Sequence, residues 1–189
     1  MFRIAGRQLH RAIVMAVGLA LLPLGAGAYT DFVSMPVGCS WEVSYSDGTR
    51  LRETFIGEKS GLFVTEVTKA TRPHRLVRRV YFDHKGRMVQ KTWASGKWEK
   101  FAPYSCFGGP GRCSYRYTNA DGADQVIDSR TTRQGKGRKV VAGPRGEDGY
   151  PDEYFETGAF GVMTVNRATN YSARVTGFEG CGAADNPAL

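Results

Sequence analysis

Short segments rich in Val, Thr, Tyr, Phe and Trp follow one another along this chain, and this pattern limits the fold more than any other feature. About twelve such segments lie between Trp41 and Phe178, separated by Gly, Asn or Asp, without helical periodicity. The pattern predicts an all-β protein, an antiparallel meander of roughly 10–12 short strands. Because one flat sheet rarely carries so many strands, we expect the sheet to close into a β-barrel, with a β-sandwich as the alternative.

Alternation of apolar and polar residues predicts that one face of the sheet is exposed to solvent. In the first segment Trp41, Val43 and Tyr45 share one face. In the fourth segment Arg78 interrupts an otherwise apolar face that includes Val80.

Turn residues predict which segments pair. Asp-Gly at positions 47–48 is typical of a two-residue hairpin loop, and in the Asp-His-Lys-Gly turn at 83–86 we expect the Asp side chain to cap the backbone. Ser-Gly at 95–96 likewise predicts a two-residue loop, which would set Trp93 directly opposite Trp98 on one face.

Residues 81–88, Tyr-Phe-Asp-His-Lys-Gly-Arg-Met, resemble the YD-repeat pattern of secreted, β-rich shell proteins. That family works through many tandem copies, whereas this chain carries one convincing copy. The resemblance therefore implies shared hairpin-turn chemistry and not family membership.

The chain opens with the three parts of a secretory signal peptide. Arg3, Arg7 and Arg11 form a basic region, residues 12–22 an apolar run, and Ala-Gly-Ala ending at Ala28 a cleavage site. The apolar run is shorter than the roughly 20 residues that span a bilayer. We therefore expect cleavage and export to the periplasm or the extracellular space.

Removal of this leader defines the predicted domain organisation. Residues 1–28 form the cleaved signal peptide, and residues 29–189 form a single β domain with its core at about 38–181 and a short disordered C-terminal tail. The leader holds three arginines and no acidic residue, so its removal lowers the formal net charge from +8 to +5. This mild basicity suits weak attraction to anionic polymers.

All four cysteines lie after the leader, an even number in an oxidising compartment, which predicts two disulfides. We expect Cys106 to pair with Cys113 across a Gly/Pro-rich turn, and Cys39 to pair with Cys181, since these two bracket the domain. No C-x-x-C motif or cysteine-histidine spacing indicates a metal site, and no cofactor is predicted.

Basic residues gather around one glycine turn and predict a hairpin that contacts phosphate or sulfate groups: Arg130, Arg133, Lys136, Arg138 and Lys139. A simply solvated hairpin is the alternative.

Three tryptophans, Trp41, Trp93 and Trp98, are candidates for stacking on sugars or lining a ligand pocket. Packing in the core of the sheet is the alternative, since aromatic residues at alternating positions are typical of a β core.

Catalysis receives little support from the sequence. His74 and His84 lie in expected turns, and no motif places them beside a nucleophile. A pair of carboxylates that cleaves polysaccharides is the remaining catalytic alternative, with Asp128, Glu153 and Glu156 as candidates.

The sequence thus predicts a non-catalytic exported envelope protein that binds a small apolar ligand or an envelope component such as an anionic polymer. A polysaccharide-acting enzyme is one alternative, and an inhibitor or adaptor that docks its basic hairpin on an acidic partner is another. Nucleic acid is not an expected partner. Charges fall on both faces of the expected strands, so we do not expect the protein to span a membrane.

Overall fold

The computed structural model of the protein describes residues 32–106, 109–134, 137–145, 152–156, 163–166 and 171–181. In these residues every regular element is a β-strand, and paired strands run antiparallel. The strands are β1 (Ser40–Tyr45), β2 (Arg50–Lys59), β3 (Leu62–Lys69), β4 (Leu76–Phe82), β5 (Met88–Trp93), β6 (Trp98–Ala102), β7 (Gly111–Thr118), β8 (Asp124–Gln134), β9 (Gly137–Pro144), β10 (Asp152–Glu156), β11 (Met163–Asn166) and β12 (Tyr171–Glu179). The predicted all-β antiparallel fold is confirmed.

Each strand pairs with its neighbours along the chain, and the first strand also pairs with the last. β1 is hydrogen-bonded to β2 on one side and to β12 on the other, where Ser40 lies opposite Glu179. Cys39 directly precedes Ser40, Cys181 lies two residues after Glu179, and the two cysteines form a disulfide. The second disulfide joins Cys106 to Cys113, so both predicted pairings are confirmed, and the two bridges are consistent with an exported protein.

The two faces of the sheet differ in composition. We call the face that carries the buried core the inner face and the opposite one the outer face. Residues that lie opposite each other on adjacent strands share a face, so the register assigns each position. Trp41 on β1 lies opposite Glu53 on β2, and Phe101 on β6 lies opposite Tyr117 on β7, and all four belong to the inner face.

The inner face holds separate apolar groups. One is an aromatic cluster in which Phe32, before β1, packs among Phe55, Phe63 and Phe82, with ring centroids 5.2, 5.6 and 4.6 Å from its own. The other two gather around Val67 and around Phe101. The core therefore includes a residue from before the first strand.

Hairpin loops of three residues, and not two, connect several strands. In the loops 46–48 and 94–96 the third residue is glycine, Gly48 or Gly96, with φ of 84° and 85°. A turn that ends in such a left-handed position closes a three-residue loop, and glycine adopts this conformation without a steric penalty. The same three-residue arrangement occurs at 84–86 and 120–122.

The extra loop residue corrects the predicted pairing of two tryptophans. The backbone N–H of Trp93 donates to the Lys97 carbonyl at 2.8 Å, and Thr92 is the residue opposite Trp98. Since side chains alternate along a strand, Trp93 lies on the inner face and Trp98 on the outer face. The expectation that they face each other was wrong, because the register is shifted by one residue.

The turn at 83–86 is capped as predicted. Asp83 Oδ1 accepts hydrogen bonds from the backbone N–H groups of Lys85 at 2.9 Å and Arg87 at 3.0 Å, and its Oδ2 accepts one from Arg87 Nε at 2.6 Å. Burial raises the pKa of Asp83, but these hydrogen bonds outweigh it and leave the pKa below its ordinary value.

We expect Asp83→Ala to lower the free energy of unfolding by about 1–2 kcal/mol at pH 7, because two backbone donors and Arg87 lose their acceptor. The folded-state pKa is depressed, so this stabilisation is present above the unfolded pKa of about 3.9 and is lost as the pH falls through the folded value. Urea unfolding at pH 7 and pH 3 measures it. Asp47→Ala is the control, since Asp47 Oδ1 caps its turn by accepting a hydrogen bond from the Thr49 N–H at 2.8 Å. Equal losses of unfolding free energy in the two variants would contradict the conclusion that Asp83 is the stronger cap.

No helix in the described part of the chain has the length and apolar character needed to cross a membrane.

Candidate functional site

The three candidate tryptophans occupy different environments. Trp41 is buried and packs in the aromatic cluster. Trp93 is half-buried on the inner face, whereas Trp98 is exposed on the outer face with Lys100 Nζ 4.7 Å from its ring centroid. The fold therefore does not gather them into one stacking platform.

The predicted basic hairpin is divided between the faces of the sheet. Arg130 lies opposite Val141, and Lys139 lies opposite Thr132, so both share the outer face. Arg133, three positions after Arg130, belongs to the other face, where its backbone lies opposite that of Arg138. Lys136 lies outside the described residues.

A different set of arginines meets on the outer face of β7, β8 and β9. Arg112, Arg130 and Arg145 line an open depression of about 600 Å³, together with Ser114 and Asp128. We call this set the outer arginine surface. The sequence pattern indicates Arg130, in the basic hairpin, and Asp128, as a carboxylate, but not Arg112 or Arg145. Cross-strand pairing brings these residues together over a separation of up to 33 residues.

Asp128 is fully engaged within this surface. It accepts hydrogen bonds from Arg145 Nε at 3.1 and 3.2 Å and from Ser114 Oγ at 2.6 Å. The Arg145 hydrogen bonds, with that from Ser114, hold the pKa of Asp128 below its ordinary value. A carboxylate kept ionised in this way is poorly suited to act as a general acid.

Arg112 and Arg130 are the unpaired part of the surface. They lie directly opposite each other on β7 and β8, both are exposed, and neither forms an ion pair with a described residue. Like charges at directly opposed positions repel each other and destabilise a sheet. An anion placed between them would remove this repulsion.

The other candidate carboxylates are placed only by register. Glu153 lies opposite Val141 and Glu156 opposite Arg138, and their side chains lie outside the described part of the structure. Of the two candidate histidines, His74 and His84, the first has its Nδ1 3.1 Å from the Lys69 carbonyl oxygen. The described residues contain no group of three or more potential metal ligands.

The inner face also carries charged residues that the sequence pattern does not assign to a site. We call Glu53, Arg78, Lys91 and Glu99 the inner charged cluster. Arg78 lies opposite Trp93, and Lys91 lies opposite Glu99, on consecutive strands. The one sequence signal for the cluster was Arg78, where a charge interrupts an apolar face.

Glu99 is the best-satisfied member of the cluster. It accepts a hydrogen bond from Trp93 Nε1 at 3.1 Å, and Lys91 Nζ lies 3.7 Å from it. Burial raises the pKa of Tyr117, as do the charge of Glu99 and a hydrogen bond to it. Burial lowers the pKa of Lys91; Glu99 opposes this shift, and the charge of Arg78 adds to it. Solvent still reaches these groups, since the Lys91 and Glu99 side chains are 27% and 13% exposed.

Glu53 has a single short hydrogen bond, accepted from Thr65 Oγ1 at 2.6 Å. Burial raises its pKa, although the Thr65 hydrogen bond and the charges of Arg78 and Lys91 oppose the shift. Its negative charge is therefore harder to maintain than that of an exposed carboxylate.

Arg78 is the least satisfied member. Its Nε is inaccessible to solvent and has no hydrogen-bond partner. Its guanidinium carbon lies 5.5 Å from the centroid of the Trp93 ring, and no described carboxylate pairs with it. The guanidinium of Arg78 therefore has an N–H donor without an acceptor.

No protein-family model, curated protein or solved structure matches this chain.

Proposed function

We propose that this protein is a non-catalytic exported binding protein, and that its outer arginine surface binds an anionic component of the cell envelope. One observation carries the proposal: Arg112 and Arg130 are directly opposed, exposed and without an acidic partner among the described residues. Guanidinium groups bind phosphate, sulfate and carboxylate through paired N–H donors.

The surroundings of the two arginines support a polymer more than a small apolar molecule. The depression is open and lies on the outer side of three strands, where a chain with repeated charges has room. The inner face, which would hold a small apolar ligand, carries Glu53, Arg78, Lys91 and Glu99. Burying an uncharged apolar ligand against these groups would remove their hydration without giving them a partner.

We also propose the barrel, and not the sandwich, as the form of the sheet. The pairing of β1 on both of its edges supports this, because an open sandwich leaves edge strands unpaired. A barrel would fix the outer arginine surface on a rigid wall and so hold its charges at a constant spacing.

We expect the double variant Arg112→Gln/Arg130→Gln to bind dextran sulfate about tenfold more weakly, because each lost guanidinium removes one ionic contact. The same affinity should fall on the order of tenfold between 50 and 200 mM salt, as counterion release requires. Fluorescence polarisation with labelled dextran sulfate measures both effects, and neutral dextran should not bind.

A matched control removes the same charge elsewhere on the outer face. In Arg50→Gln/Arg79→Gln the two lost arginines are paired with Glu42 and Glu66, and binding should stay within about twofold of the parent. Equal weakening in both double variants would show that net charge alone drives binding. Absence of dextran sulfate binding would reject the polymer and leave an acidic protein surface as the alternative partner.

A further inference from the structure

The inner charged cluster contains more hydrogen-bond donors than it satisfies. Two cations, Arg78 and Lys91, lie near two carboxylates. Glu99 already accepts a hydrogen bond from Trp93 and pairs with Lys91. Glu53 accepts a hydrogen bond from Thr65, and burial disfavours its ionised form. Arg78 is left with an inaccessible Nε that has no acceptor.

A buried guanidinium N–H without an acceptor is costly, because it loses hydration without gaining a partner. Arg78 lies among Val67 and Trp93 across the adjacent strands, and Val80 follows it on the same face. Val67 and Val80 are 1% and 5% exposed, so the guanidinium is bordered by apolar side chains. Of these apolar neighbours Trp93 is the one that is not fully buried, so the guanidinium lies beside one apolar ring that a ligand can contact.

The receptor is reachable. Lys91 and Glu99, which border it, keep exposed fractions of 27% and 13% although they point to the inner face. Trp93 is also half-exposed and is the last residue of β5, next to the 94–96 loop. A small molecule can therefore approach Arg78 from the end of the sheet where this loop lies.

We propose that the inner face binds a small carboxylate with an apolar body, its carboxylate on Arg78 and its apolar part against Trp93. This site is distinct from the outer arginine surface, which lies on the opposite face and on other strands. The ligand carboxylate accepts hydrogen bonds from the guanidinium of Arg78, which has no acidic partner among the described residues, and Trp93 supplies a flat apolar contact.

The test uses the oxidised protein, 4-fluorobenzoate as the probe and ¹⁹F NMR as the readout. We expect saturable binding that is at least tenfold stronger than that of 4-fluorobenzamide, which has the same shape without the charge. Arg78→Met should weaken 4-fluorobenzoate binding at least tenfold. Arg79→Met is the matched control: this next residue lies on the outer face, paired with Glu66, and binding should be unchanged.

A second variant keeps the test decisive if Arg78→Met does not fold. Glu53→Gln removes a carboxyl group whose ionised form competes for Arg78, so it should strengthen 4-fluorobenzoate binding. Equal affinity for the acid and the amide, or no saturable binding of 4-fluorobenzoate, would overturn the inference.

The two proposals fail independently. Arg112→Gln/Arg130→Gln should leave 4-fluorobenzoate binding unchanged, and its loss in that variant would move the probe to the outer arginine surface and reject the inner site. Retained 4-fluorobenzoate binding with no dextran sulfate binding would reject the outer site alone.

Discussion

Loss of the Cys39–Cys181 disulfide is expected to lower the free energy of unfolding by about 5 kcal/mol. The bridge closes a loop with a sequence separation of 142, and chain entropy makes such a constraint on the unfolded state large. It also joins the start of β1 to the end of β12, where Ser40 lies opposite Glu179. A loss of this size is comparable to the whole stability of many domains.

Thermal and urea unfolding of Cys39→Ala/Cys181→Ala measures this effect, with an expected fall in Tm of about 10–20 °C. Cys106→Ala/Cys113→Ala is the control, since its sequence separation is only 7 and its expected cost is about half as large. If both double variants lost the same stability, closure of the long loop would not be what the first bridge contributes.

Truncation of Phe32 is expected to cost about 3–5 kcal/mol, the usual range for a buried phenylalanine. Phe32 is 3% exposed, and its ring contacts those of Phe55, Phe63 and Phe82 on three different strands. Phe32→Ala would leave a cavity at the centre of this aromatic cluster, and the surrounding strands are tied by backbone hydrogen bonds and cannot collapse to fill it.

Val33→Ala provides the comparison one residue away. Val33 is 75% exposed, so its truncation should change the free energy of unfolding by less than about 0.5 kcal/mol. Urea unfolding monitored by tyrosine and tryptophan fluorescence gives both values. A small loss in Phe32→Ala would mean that the segment before β1 does not belong to the folded core in solution.

Local patterns in the sequence predicted much of the fold but not its register. Asp83 was expected to cap its turn and does so, because an Asp side chain needs only residues two and four positions away. The loop before Trp98 was expected to hold two residues and holds three. One extra residue moved Trp93 to the other face, since side chains alternate with a period of two.

In the candidate sites, too, local patterns indicated some residues, but the register between strands decided which of them meet. The sequence pointed to basic residues 130–139, which are adjacent along the chain, yet alternation separates Arg130 from Arg133. The cations that do meet, Arg112 and Arg130, come from neighbouring strands and are far apart in sequence. Their pairing follows from the lengths of the β7 and β8 strands and of the turn between them, which no single segment reveals.

By itself, the sequence determined the β-strands, most turn positions and which cysteines pair. Strands and turns depend on residues close together in the chain, and four cysteines allow only three pairings. Only the tertiary structure decided that Phe32 enters the core, that Arg78 lacks a partner on the inner face and that Arg112 opposes Arg130. These depend on the register between strands, and the register is fixed by the packing of the whole sheet.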